Sequence, residues 1–189
     1  MRKLKLQMQL SVDGFSAGPE GQLDWMIMTW DEKLLKLVNE LTDSSDTILL
    51  GRKMTDGFVT YWEHVVNNQP ESPEFSFANK MVDMHKIVFS KTQKTIAGKN
   101  VVVENGDLVT EVNKLKNKPG KDIVVYGGAG FVSSLLDNNL IDELNLFINP
   151  VAIGKGLSIF KNRRPLQLVD STAYGNGIVV NKYSPVNSK

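Results

Sequence analysis

Short apolar runs that alternate with helical stripes constrain the fold of this chain more than any other feature of its sequence. The runs predict buried strands, at DTILLG (46–51), KIVFS (86–90), NVVVE (100–104) and KDIVVYGG (121–128). Apolar residues recur at helical spacing between and after them, in WDEKLLKLVNEL (30–41), FSFANKMVDM (75–84), DLVTEVNKLKN (107–117) and AGFVSSLLDNN (129–139). This alternation predicts βα units, and therefore a mostly parallel sheet with helices on both faces.

The two ends of the chain add strands of another kind. Apolar and polar residues alternate from Leu4 to Val12, which predicts a first strand with one well-buried face, and Asp13-Gly14 predicts a turn after it. Near the C-terminus, LQLVDSTAY and GIVVNKY flank Gly175-Asn176-Gly177, the signature of a hairpin. The expected fold class is α/β: three layers around a mostly parallel central sheet, with a C-terminal antiparallel hairpin, in one domain over residues 1–189.

Composition excludes several classes of function. The net charge is +1 and there is no cysteine, so the totals give no support for nucleic-acid binding, disulfides or thiolate metal sites. The two histidines, His64 and His85, lack a ligand partner at metal spacing, and no metal site is expected. No apolar run is long enough for a membrane span, and a cytoplasmic protein without membrane or nucleic-acid partners is expected.

A glycine turn stands where one buried strand meets a helix, in IVVYGGAGFVSSLL (123–136). A helix that begins at a strand end offers unpaired N–H groups and the positive end of its dipole to a phosphate. Gly127, Gly128 and Gly130 leave the backbone open to such a ligand, and a tight turn without a ligand is the alternative. The Rossmann fingerprint is absent, because Ser133 stands where glycine or alanine is needed.

Two further strand ends carry cations and hydroxyls. Gly51 closes a buried strand, and Arg52, Lys53 and Thr55 open the next helix, where cations oppose the dipole unless an anion lies between them. FSKT supplies a third end with Ser90, Lys91 and Thr92. Three such ends in one sheet favour a site for a phosphorylated cofactor, with solvated cations as the alternative.

Two carboxylates and two tryptophans are candidates for the reaction itself. Asp13 follows the first strand and Asp31 precedes a helix, so each is a candidate acid or base. The alternatives are a turn former for Asp13 and a helix cap for Asp31. Trp25 and Trp30 could form an apolar wall for the flat ring of a substrate, or could be core aromatics.

The ordered set of these segments resembles the dihydrofolate reductase-like family. The segments are QLSVDGFSAGPEGQLDW, DTILLGRKMT, IVFSKT and VVYGGAGFVSSLL…LIDELNLFINPVAIGKGLSIF. The chain is most similar to the reductase half of the bacterial bifunctional deaminase-reductase of riboflavin synthesis. The resemblance implies an NADPH-dependent reductase, often a homodimer, whose small-molecule substrate is a heterocycle or a ribosylaminopyrimidine.

The resemblance also implies roles for the residues at the strand ends. Gly51, Arg52, Lys53 and Thr55 would meet the cofactor phosphates, Ser90, Lys91 and Thr92 would lie near the 2′-phosphate, and the nicotinamide would be bordered by Ser11 and Gly14. The pyrophosphate would be held by Gly127, Gly128, Ala129, Gly130 and Phe131, with Tyr126 just before them. Arg52, Lys53 and Lys91 would favour NADPH over NADH, because cations can pair with the extra phosphate.

Two departures from this family leave a second hypothesis open. TDGFVTYWEHV (55–65) differs from the segment that grips the ribose phosphate of the substrate, and Tyr126 stands where the family has a glutamate. The first hypothesis is a reductase like 5-amino-6-(5-phosphoribosylamino)uracil reductase. The alternative is a non-catalytic dimeric nucleotide-binding module on the same scaffold.

Overall fold

The computed structural model describes residues 1–186 and is built around one eight-stranded sheet. The strands of that sheet are β1 (Leu4–Ser11), β3 (Ser45–Gly51), β4 (His85–Phe89), β5 (Val101–Glu104), β6 (Asp122–Val125), β7 (Glu143–Asn149), β9 (Leu166–Ala173) and β10 (Val179–Pro185). The helices are α1 (Glu32–Asp43), α2 (Arg52–Asn68), α3 (Phe75–Asp83), α4 (Leu108–Asn117) and α5 (Ala129–Asp137). The strand order is β5-β4-β3-β6-β1-β7-β10-β9, which confirms the predicted fold class.

Parallel pairing covers six of the eight strands. β1 lies between β6 and β7, with Leu6 opposite Val125 on one side and opposite Leu144 on the other. β10 pairs antiparallel with both β7 and β9, so the predicted C-terminal hairpin forms one edge of the sheet.

A second, small sheet is a feature that the sequence did not predict. β2 (Phe15–Ala17) pairs antiparallel with β8 (Leu157–Ser158) in a region expected to be loop. Strands this short leave no alternation to detect, and the partner lies far away in the sequence. This sheet fastens the segment after β1 to the segment after β7.

Helices cover both faces of the central sheet. α4 and α5 pack on the face that carries Leu4, Leu6, Met8 and Leu10. α1, α2 and α3 pack on the opposite face, against residues such as Ile48, Leu50 and Phe147. Both faces of β1 are therefore covered: Gln7 and Ser11, on its polar face, are buried as well, which a single well-buried face does not predict.

The connections that leave the neighbouring strands β3 and β6 run in opposite directions across the sheet. From β3 the chain continues through α2 and α3 to β4 on one side, and from β6 it continues through α5 to β7 on the other. In open α/β sheets, ligands bind in the crevice beyond the carboxyl ends of strands at such a switch point. Among residues 1–186, no helix is long and apolar enough to cross a membrane.

Candidate functional site

The predicted strand ends lie at one edge of the sheet. β4, β3, β6 and β1 are consecutive parallel neighbours, so their carboxyl ends point the same way. Ser90, Gly51, Tyr126 and Ser11 stand at or just after these ends. Segments far apart in the sequence therefore meet at the switch point.

The beginnings of α2 and α5 touch at their glycines. A Cβ built on Gly51 lies 2.7 Å from the Cβ of Phe131, and one built on Gly128 lies 4.0 Å from the Cα of Gly51. A side chain at position 51 would push the two helix beginnings apart. The two turns thus form one surface.

Neither helix beginning is closed by a side chain. Gly51 and Gly128 are the N-caps of α2 and α5, and neither can supply a capping oxygen. The first N–H groups of a helix then need another acceptor, and they carry the positive end of the helix dipole. Gly128 has φ 81° and ψ 90°, in the region that favours glycine, and a Cβ at Gly130 would meet nothing within 4 Å. The paired turns suit an anion such as a pyrophosphate.

Cations stand around this surface. Arg52 and Lys53 are exposed in the first turn of α2, and neither forms an ion pair within the described part of the chain. Lys91 and Thr92 are exposed beyond β4, beside Ser90, whose Oγ accepts from the N–H of Thr92 at 3.3 Å. The Ser90 hydroxyl thus shapes the turn that presents Lys91.

Thr55 and Tyr126 lie differently from their predicted roles. The Thr55 side chain is fully buried and its hydroxyl donates to the carbonyl of Gly51 at 3.1 Å, so it supports the first turn of α2 from within and does not reach the cleft. The ring of Tyr126 stacks on Phe58, 5.9 Å between centroids, and its hydroxyl lies 3.3 Å from Thr42 Oγ1. Burial raises the pKa of Tyr126 to about 12. The Tyr126 ring therefore lies on the face of the sheet that α1 and α2 cover, whereas the glycine turn leads to α5 on the opposite face.

Both candidate carboxylates hold backbone segments together. Asp31 caps α1 by accepting from the N–H of Leu34 at 2.8 Å, and its other oxygen accepts from the N–H of Gly175 at 2.9 Å. Asp13 accepts from Ser11 Oγ at 2.6 Å and from the N–H of Gly154 at 2.8 Å. These contacts confirm the alternative of a helix cap for Asp31.

The same hydrogen bonds fix the charge of both groups. A hydrogen bond from the Ser11 hydroxyl is the main reason that the pKa of Asp13 lies below its ordinary value. The pKa of Asp31 is lowered mainly by the hydrogen bond from the N–H of Leu34. A hydrogen bond to a carboxylate favours its charged form. Both groups are ionised at neutral pH and hold no proton to donate.

The remaining candidates lie in the segment that follows β1. Gly14, with φ 86°, completes the turn after Ser11. Trp25 and Trp30 are half-buried, and their indole N–H groups donate to the carbonyls of Gln22 and Ile27 at 3.2 and 2.9 Å. Trp30 packs on the core beneath α1, while Trp25 lies outside the core clusters of the described residues. Within residues 1–186 no cluster of histidine and acidic side chains is arranged to hold a metal.

Sequence reasoning missed side chains that lie close to the glycine turn. Gly127 approaches sulfur atoms, since a Cβ there would lie 3.2 Å from Met54 Sδ and 3.5 Å from Met8 Sδ. Gln7, on the covered face of β1, is the other residue missed. A buried polar residue can indicate a functional site when helices cover both faces of its strand. The sequence alone does not show that both faces of β1 are covered.

Comparison with known proteins identifies relatives over the whole length of the fold. A family model described as the RibD C-terminal domain matches residues 2–180. The protein YyaP of Bacillus subtilis (strain 168) is 34% identical over 181 residues, which cover 94% of this chain and 92% of that protein.

Two solved structures share the fold. A putative riboflavin biosynthesis protein from Shewanella sp. PV-4 superposes with a TM-score of 0.72 at 20% identity, over 99% of this chain and 100% of that one. A dihydrofolate reductase from Enterococcus faecalis, complexed with NADP(H), superposes with a TM-score of 0.65 at 16% identity, over 98% and 97%.

Proposed function

Because the chain belongs to the RibD C-terminal domain family, we propose that it is an NADPH-dependent oxidoreductase that reduces a flat heterocyclic substrate. The fold is shared with reductases, among them the dihydrofolate reductase described above, and this supports the proposal of an oxidoreductase. The observation that carries the proposal for this chain is the contact between the uncapped beginnings of α2 and α5 at the switch point.

The chemistry of that surface fits the phosphates of a dinucleotide. The backbone N–H groups that begin at Gly128 would hold the pyrophosphate, and the first turn of α2 would face it from the other side. Arg52, Lys53 and Lys91 are the exposed cations that would pair with a 2′-phosphate. Bound there, the cofactor supplies a hydride, and the protein supplies position and charge.

The substrate would receive the hydride at a C=N or C=O carbon. A ribosylaminopyrimidine of the riboflavin pathway type is the first candidate, since a deaminase/5-amino-6-(5-phosphoribosylamino)uracil reductase from Thermotoga maritima shares the fold, with a TM-score of 0.65 at 17% identity over 98% of this chain and 57% of that one. Asp13 and Asp31 are ionised and occupied by backbone N–H groups, so water is the proposed source of the proton.

Oxidation of NADPH across a panel of substrates tests the proposal. The panel contains pterins, ribosylaminopyrimidines and small carbonyl compounds, each tried with NADPH and with NADH. We expect turnover with at least one ring compound and at least about tenfold faster turnover with NADPH than with NADH, as a charge-assisted contact to one extra phosphate implies. Absence of turnover throughout the panel would contradict an enzyme of this class.

One observation favours the second candidate, a non-catalytic dimeric module that binds a nucleotide. Both carboxylates near the cleft serve backbone contacts, which leaves neither as an acid. Tight binding of NADPH without turnover across the panel would favour this module. Sedimentation velocity would test the homodimer that we propose for either function.

A further inference from the structure

Gln7 is a buried polar side chain with an acceptor that the protein leaves unused. The residue is 8% exposed, and its Oε1 has no hydrogen-bond partner among the described residues. A buried carbonyl oxygen without a partner costs about 1–3 kcal/mol, so such groups require an explanation. The explanation that we pursue is a ligand.

The neighbours of Gln7 on the same face of the sheet have partners. Gln9 accepts from Asn149 Nδ2 at 2.7 Å, and Asn145, directly opposite Gln7 on β7, donates to Glu143 Oε1 at 3.2 Å. Lys5 forms an ion pair with Asp122 at 2.8 Å. Gln7 thus differs from the polar side chains beside it, which satisfy one another.

Gln7 stands beside the residues that lead from β6 into the glycine turn. Pairing between β1 and β6 ends at Leu6 and Val125, so Gln7 is one position beyond it, beside the point where Tyr126 and Gly127 leave the sheet. Side chains alternate along a strand, so Gln7 lies on the face opposite Leu6 and Met8, the face that α1 and α2 cover.

The α1–α2 face offers aromatic surface at the same place. Tyr126 stacks on Phe58, and Phe58 meets Trp62 edge to face with 6.2 Å between centroids. Phe58, Trp62 and Tyr126 pack on the core and are each partly exposed. A planar ring can stack on such surface while its edge reaches the sheet.

Within residues 1–186, the charged strand residues nearest Gln7 are already paired. Glu143 pairs with Lys182 at 3.1 Å, and Lys5 pairs with Asp122. A charged ligand group would find no free counter-ion there, and burying an unpaired charge is costly. The recognised end of the ligand is therefore uncharged.

We propose that Gln7 determines substrate specificity: its Oε1 accepts a hydrogen bond from a ring N–H of an uncharged planar heterocycle that stacks on the aromatic side chains between α1 and α2. This inference rests on the proposed function and names the class of substrate. A phosphate on the substrate would point away from Gln7 and out of the cleft.

Two neutral pyrimidines that differ in their ring N–H groups test the inference. 5,6-Diaminouracil carries these groups, and 5,6-diamino-1,3-dimethyluracil has methyl groups in their place. Affinities are measured by calorimetry for the wild type, for Gln7→Met and for Gln167→Met, the same change at an exposed position on β9. We expect Gln7→Met to weaken binding of 5,6-diaminouracil about tenfold, to leave the dimethyl compound unchanged, and to keep or raise Tm, because an unused buried acceptor is removed. Gln167→Met should behave as the wild type.

Each other result overturns the inference. Equal effects of Gln7→Met on the two pyrimidines, no binding of either one, or a large fall in Tm would show that Gln7 does not read a ring N–H. NADPH affinity, measured on the same samples, separates this failure from failure of the proposed function. If NADPH binds and the pyrimidines do not, only the role of Gln7 is lost.

Discussion

Arg52 and Lys53 stand in a position that is unfavourable for cations. They lie in the first turn of α2, at the positive end of the helix dipole, and they form no ion pair with residues 1–186. A charge of the wrong sign there costs about 0.3–1 kcal/mol, and a bound phosphate would reverse the sign of that effect. The simplest physical reason for the arrangement is an anionic ligand.

Substitution of Arg52 should discriminate between the two nicotinamide cofactors. We expect Arg52→Ala to weaken NADPH binding about 10- to 100-fold and NADH binding less than about threefold, because only NADPH carries the 2′-phosphate. Isothermal titration measures both affinities. Arg163→Ala, an exposed arginine in the loop before β9, is the control and should change neither. Equal losses for both cofactors would remove Arg52 from the 2′-phosphate site.

The residue types at the site could be predicted from the sequence, but the directions of several side chains could not. Glycines and cations after apolar runs indicated the strand ends correctly. Asp13 and Asp31 also accept hydrogen bonds from Gly154 and Gly175, which are remote in the sequence. The Thr55 side chain points inward because its hydroxyl donates to the Gly51 carbonyl one helical turn earlier. Any threonine in a helix can make this hydrogen bond, so the sequence does not reveal it.

At the scale of elements, the close approach of α2 and α5 depends on the absence of a side chain at Gly51. Its Cβ position overlaps Phe131, which also stacks on Phe89 with 5.6 Å between centroids and so has little room to move. A glycine in the interior of α2 provides a contrast, because a Cβ on Gly57 meets nothing within 4 Å.

Alanine at these two glycines should have opposite effects on stability. Gly51→Ala should lower the free energy of unfolding by about 1–3 kcal/mol, since the added methyl forces the helix beginnings apart, and it should weaken NADPH binding. Gly57→Ala should raise the free energy of unfolding by roughly 0.5–1 kcal/mol, because alanine favours the helix. Urea unfolding and NADPH titration give both quantities. If Gly51→Ala left the NADPH affinity unchanged, the contact between the two helix beginnings would not be required for cofactor binding.

The burial of Lys86 inside a strand is another feature that the sequence pattern did not indicate. It lies inside β4, is 2% exposed, and its Nζ donates to the carbonyls of Met81, Val82 and Met84 at 2.8–2.9 Å. These carbonyls lie at the end of α3 and would otherwise lack partners. The buried ammonium therefore joins α3 to the sheet.

Stability should depend on pH through Lys86. Burial lowers the pKa of Lys86 to about 8, so between pH ~8 and ~10.5 the unfolded chain binds more protons than the folded one, and stability rises with pH. Lys86→Met should lack this rise, about 3 kcal/mol, and should be less stable than the wild type by about 2 kcal/mol at neutral pH because the carbonyls lose their donor. Urea unfolding across this range measures both. Lys36→Met, at an exposed lysine of α1 that pairs with Glu40, is the control and should follow the wild type; parallel curves for all three proteins would contradict the assignment.

At the scale of the whole molecule, the order of strands creates the site. The sequence predicted the parallel sheet and the hairpin because their patterns are local, and it predicted a shared edge because parallel strands end on the same side. It could not predict that β6 inserts between β3 and β1, which brings Gly128 against Gly51. Nor could it predict the β2–β8 pair, whose strands are too short to carry a pattern.

Binding of NADPH to the intact protein tests the central claim most directly. If the converging beginnings of α2 and α5 hold the dinucleotide, calorimetry should give saturable binding of NADPH, tighter than that of NADH. Tm should rise with NADPH concentration, since a ligand at ~100 times its Kd stabilises the folded state by about 2.7 kcal/mol. Absence of both heat and a Tm shift at NADPH concentrations approaching the millimolar range would contradict the account.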